Sequence, residues 1–207
     1  MAAAGLAVLA TVTATTPVAA HPHVWIDAAP EVIFDEQGRV AALKMRWTFD
    51  ALYSSFALSG IDANKNKVAD PDELAMLAKQ NTDALKDFKY FTLVRKNGEN
   101  VPFGEGVSAE NIVVDGALVM TLNLPLAEPI DPAKHHMSFA SFDPTYYIAI
   151  SVKDASAVSV VKAPAGCAAQ YSEAGEAPQN VSDSVVNNLS DNWAAQFAPT
   201  ITINCNG

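Results

Sequence analysis

Residues 23–50, HVWIDAAPEVIFDEQGRVAALKMRWTFD, decide the fold. From Val24 to Phe34 apolar and polar residues alternate well enough for a half-buried strand. DEQGR (35–39) supplies turn chemistry, and VAALKMRWTF (40–49) runs apolar again. The stretch therefore predicts a β-hairpin that shows one face to a core. Asp50 then stands where an N-cap belongs, ahead of a helix with Leu52, Tyr53, Phe56 and Ala57 on one side and Gly60 as its stop.

Beyond that helix the pattern continues in kind. Leu74, Leu77, Ala78 and Leu85 have helical spacing. YFTLVRKNGENVPF (90–103) and IVVDGALVMTLNL (112–124) read as hairpins turning on Asn97-Gly98 and Asp115-Gly116. MSFASF, YYIAISV, AVSVV and TITIN are further strands, and SDSVVNNLSDNWAAQF (182–197) is a short C-terminal helix. The expected class is α+β: an antiparallel sheet or sandwich with a helix–loop–helix inserted at about residues 50–87.

The loop of that insert is DANKNKVADPDE, 62–73. Asp62, Asn64, Asn66, Asp70 and Glu73 fall at positions 1, 3, 5, 9 and 12 of an EF-hand calcium frame, and Val68 at position 7 offers its carbonyl. Calcium takes such oxygens, with Glu73 as the bidentate ligand. Lys67 replaces the glycine of position 6, and a left-handed lysine costs on the order of 1 kcal/mol. Three carboxylates with Lys65 and Lys67 among them imply weak binding, roughly 10⁻⁴–10⁻³ M. The competing reading is a helix connector, in which Asp70-Pro71-Asp72-Glu73 only starts the next helix through a capping box.

Residues 1–20, MAAAGLAVLATVTATTPVAA, are uncharged and end in small residues, as a signal peptide does; a membrane anchor is the alternative. Cleavage after Ala20 leaves 21–207 as one periplasmic or secreted domain. The formal charge of −10 disfavours nucleic acid and anionic membranes and suits cations. No stable membrane insertion is expected after cleavage. Two cysteines in an oxidising compartment predict one disulfide, Cys167–Cys205.

The chain's 4 histidines form two close pairs, His21 with His23 and His135 with His136. A terminal amine with His21 chelates one metal, and imidazoles suit zinc, copper, nickel or cobalt. Were the pairs to meet, three or four nitrogens would surround one ion. Otherwise they are a terminus and a solvated loop. Asp143, in DPTYY, is a candidate to orient a histidine or simply a turn-forming Asp-Pro.

AHPHVWIDA, RWTFDALYSSFAL, YFTLV and FDPTYYIAI together resemble a bacterial periplasmic family described as a periplasmic component of an ABC-type transport system. Its members commonly lie near nickel/cobalt-type transporters. The resemblance rests on His21 and His23, on the loop residues, and on Asp143, Tyr146 and Tyr147; Lys67 departs from it, and His135-His136 is no part of it. It implies a periplasmic, metal-related role, with a membrane metal transporter as partner. No nucleophile or phosphate-loop motif is present, so a non-enzymatic metal-binding accessory protein is expected. The alternatives are a calcium-stabilised protein-interaction module and a copper enzyme using the terminal histidine.

Overall fold

The computed structural model describes residues 22–175 and 195–205. Strands β1 (Val24–Phe34) and β2 (Val40–Phe49) form the expected antiparallel hairpin, with Ala28 opposite Trp47. Its inward side chains, Ile26, Val32, Phe34, Leu43, Met45 and Trp47, are buried because strict alternation puts them all on one face.

Helices α1 (Ala51–Ile61) and α2 (Pro71–Leu85) follow, then β3 (Thr92–Lys96), β4 (Glu99–Val101), β5 (Ser108–Val114), β6 (Ala117–Ile130), β7 (Met137–Ser141), β8 (Ile148–Ser151), β9 (Ser159–Val161), β10 (Cys167–Ser172) and β11 (Thr200–Cys205). Asn97-Gly98 and Asp115-Gly116 have positive φ at both residues, the signature of the tight turns that match strand twist.

Two sheets result. One runs β5-β6-β2-β1-β8 with β9 also on β1; the other runs β10-β11-β7-β3-β4. Val94, Met137, Phe139, Ile201 and Ile203 of the second sheet join the inward residues of the first in one continuous core. The expected antiparallel sheet or sandwich is mixed at one edge. β8 and β9 pair with β1 in parallel, along Val24–Asp27 and Glu31–Ile33 respectively. Pro30, which has no N–H to give, falls in the gap between them.

Helix α1 also differs from its sequence reading. It runs through Gly60 to Ile61, and its buried residues are Ser54, Ala57 and Ile61, whereas Leu52 and Phe56 are exposed. Ser54 explains the choice of face. Its hydroxyl donates to the Phe49 carbonyl (3.3 Å) and accepts from Leu118 N (3.0 Å), tying the helix to β6. Between α2 and β3, Lys89, Tyr90 and Phe91 are successively left-handed (φ 52°, 54°, 49°), so β3 begins at Thr92 rather than at Tyr90. Most of the expected C-terminal helix lies outside the described residues; Ala195–Phe197 forms a 3-10 turn.

Candidate metal centre

Between the helices the backbone is wrapped around acidic and amide oxygens. Asp62 accepts from Asn66 N (Oδ1, 3.0 Å) and Lys67 N (Oδ2, 3.0 Å). Asn64 Oδ1 also accepts from Asn66 N (2.9 Å), and Asn66 Oδ1 accepts from Val68 N (2.7 Å). Lys65 and Lys67 take φ of 60° and 62° to make this winding possible. The left-handed turn is thus made at position 6 without glycine.

Glu73 closes the loop. It is 8% exposed; Oε1 accepts from Ala63 N (2.9 Å) and Oε2 from Asp70 N (3.1 Å), so one carboxylate joins the two ends. Asp70 Oδ2 is contacted by the amides of Asn64 (2.7 Å) and Asn66 (3.0 Å). The carboxylates are therefore linked through asparagines. Among the described residues, no group of three or more His, Cys, Asp or Glu stands together as a metal site. A cation seated here has to displace the two amide contacts to Asp70.

His21 lies outside the described residues. His23 donates its backbone N–H to the Tyr147 carbonyl (2.8 Å), and its ring lies 4.8 Å from that of Tyr147. The start of β1 and the DPTYY turn, far apart in sequence, are thereby neighbours. Asp143, buried, accepts from Thr145 N (2.8 Å), Thr145 Oγ1 (2.7 Å) and Ile148 N (2.9 Å). Those contacts fold the turn that presents Tyr147.

His135 and His136 sit elsewhere, on the β6–β7 connection. His136 N donates to Asn97 Oδ1 (2.9 Å), and His135 Nδ1 is 3.2 Å from the Asn97 amide. Strand β7 (Met137–Ser141) separates this corner from the Asp143 turn. At about 3.3 Å per residue, its 5 residues span roughly 17 Å of extended chain. The nearby Asp131 carboxyl is held below the usual carboxylate range by Lys134, whose Nζ is 2.7 Å away, despite partial desolvation.

Asp50 joins the helix to the histidine edge. Its Oδ1 caps α1 through Leu52 N (2.8 Å) and Tyr53 N (2.9 Å), and its Oδ2 accepts from Trp25 N (2.9 Å). Desolvation pushes its pKa up, but the N–H groups of Trp25, Tyr53 and Leu52 outweigh that and hold it low. A depressed folded-state pKa stabilises the fold above the unfolded value, about 3.9, and that stability fades as pH falls through the folded value. Asp50→Ala is expected to cost about 2 kcal/mol at neutral pH. The urea midpoints of the two proteins should draw together as pH falls from about 3.9 through the depressed folded-state value.

Comparison with known proteins covers nearly the whole chain. The chain is 27% identical over 194 residues to a protein of Haemophilus influenzae (strain ATCC 51907 / DSM 11121 / KW20 / Rd) described as "Uncharacterized protein", spanning 91% of this chain and 92% of that one. A family model described as "Protein of unknown function (DUF1007)" matches residues 6–205. That match spans nearly the whole chain, and the chain belongs to the DUF1007 family.

Proposed function

We propose that this chain is a non-enzymatic, extracytoplasmic metal-binding accessory protein. It holds calcium weakly in the loop Asp62–Glu73 and a transition metal (zinc, copper, nickel or cobalt) at the His21/His23 edge, in service of a membrane metal transporter. The observation that carries the reading is the loop. Asp62, Asn64 and Asn66 already draw the N–H groups of residues 66–68 inward, and Glu73 already spans both ends. Oxygen ligands of this kind and number suit calcium rather than softer ions.

The transporter link rests on the sequence resemblance, and the acidic charge of −10 suits a cation carrier. An oxidising compartment is supported by the disulfide. No helix among the described residues is long and apolar enough to cross a membrane.

A second reading, a calcium-stabilised module for a protein partner, is favoured by a specific surface. Leu52 and Phe56 stand one turn apart on α1, 77% and 76% exposed. Native mass spectrometry of the protein recovered from its own compartment without chelators separates the two. Mass excesses of one calcium, once calcium is supplied at about 10⁻³ M, and of one transition-metal ion are expected. Calcium alone would favour the interaction module, and no metal even in added calcium would reject both.

A further inference from the structure

Strand β5 (Ser108–Val114) is the outermost strand of the first sheet and pairs with β6 alone. It has 7 residues, against 3 in β4, 4 in β8, 3 in β9 and 6 in β10. Its last three residues are apolar and exposed: Ile112 47%, Val113 40% and Val114 38%. A long bare edge is a template for another strand, and proteins usually guard it with charge, proline or short length. From Asn111 to Val114 this edge carries neither charge nor proline.

The direction of its backbone groups follows from one contact. Leu118, opposite Val113, gives its N–H to Ser54 Oγ (3.0 Å). Ser54 is also bonded to the Phe49 carbonyl at the end of β2, on the side of β6 away from β5. The two residues of such an antiparallel pair turn their groups away from each other, so the Val113 N–H and C=O point out of the sheet. Those of Asn111, two residues away, do the same. Neither set has a hydrogen-bond partner among the described residues. Helix α2 meets β5 from the core-facing side, through Asn111 Nδ2 and the Leu74 carbonyl (3.4 Å), while Ser108, Glu110 and 112–114 stay exposed.

We infer that this edge docks β5 of a second copy, the two strands antiparallel about Val113, so that the first sheets of both copies join. Val113 then meets the partner's Val113, and Ile112 meets the partner's Val114. Asp115 falls opposite the partner's Asn111 and Glu110 opposite the partner's Gly116, so no two carboxylates are opposed. A foreign strand would have to match this pattern, whereas a second copy carries it. Two-fold pairing uses both edges, so association stops at a dimer. Three apolar side chains and one strand edge hide less than the roughly 800 Å² per copy of a standard interface. A reversible dimer of about 10⁻⁵–10⁻⁴ M is therefore expected.

Sedimentation equilibrium of the mature, disulfide-bonded protein in chelator, at about 10⁻⁶ to 10⁻³ M, tests this independently of the cation loop. Val113→Pro removes the outward N–H and leaves the β6 ladder intact, since edges tolerate proline; the dimer should weaken at least about tenfold. Ile112→Lys with Val114→Lys, both on the exposed face, should weaken it as much by setting like charges opposite each other. Ile112→Lys with Val114→Glu should associate within about threefold of the parent, and less well as salt is added. A chain that stays monomeric to about 10⁻³ M overturns the inference, whether the edge then takes another protein's strand or none. So does a dimer that neither Val113→Pro nor the double lysine variant weakens, or one that treats the two charge variants alike.

Discussion

Replacing Cys167 and Cys205 with alanine is expected to lower folding stability by about 4 kcal/mol. The two residues face each other across the β10–β11 ladder and are 38 residues apart in sequence. Cross-linking a loop of that length removes chain entropy from the unfolded state by about that amount. The native ladder gives β10 little else. Cys167–Ser172 pairs with β11 alone, and half of its residues are exposed. Against a typical total of about 5–15 kcal/mol the loss is large, and the melting point should fall by about 10 °C. Thermal and urea unfolding with and without reductant check it. Reduction of the native protein should reproduce the double variant, and reductant should leave the variant unmoved. A difference under about 1 kcal/mol would mean the ladder holds the edge unaided.

The second large effect concerns the loop and has opposite signs at two positions. Glu73→Gln is expected to weaken calcium binding at least about tenfold, since ligand charge sets affinity in such loops. It should also cost about 1–2 kcal/mol without calcium. Glutamine keeps one acceptor, whereas Glu73 serves two backbone donors, Ala63 N and Asp70 N. Lys67→Gly should act the other way. It relieves the left-handed strain at φ 62° and removes a positive charge beside the ligands, raising affinity about fivefold. Its gain in stability should stay under about 1 kcal/mol, because glycine also loosens the unfolded chain. Calcium-dependent melting curves of both variants read affinity and stability separately.

What could be read in the sequence was local. The hairpin of β1 and β2, the turns at Asn97-Gly98 and Asp115-Gly116, and the cap at Asp50 depend on residues within a few positions of one another. The left-handed Lys67 was legible for the same reason. Strand β10 was not, because four of the six residues of CAAQYS are alanine, cysteine or serine, which carry weak strand preference. Nor was the parallel docking of β8 and β9 on β1, which joins short segments more than a hundred residues apart. Leu52 and Phe56 looked like a core stripe, yet the anchoring of Ser54 to Phe49 and Leu118 turns them outward. Periodicity gives a face and not its direction. The histidine pairs could be seen but not placed, since their separation depends on which end of β7 each adjoins. That β5 ends a sheet with its apolar residues bare depends on strand order, which no spacing rule supplies.

Asp62–Glu73 is proposed as a calcium site rather than a helix connector. Calorimetric titration of calcium into the disulfide-bonded protein, with magnesium as comparison, tests it most directly. One saturable calcium site of roughly 10⁻⁴–10⁻³ M is expected, weaker in Glu73→Gln and stronger in Lys67→Gly. A titration that stays flat well above that range, or a site that Glu73→Gln leaves untouched, would contradict it. The hydrogen bonds among Asp62, Asn64, Asn66, Asp70 and Glu73 would then be the whole purpose of the loop.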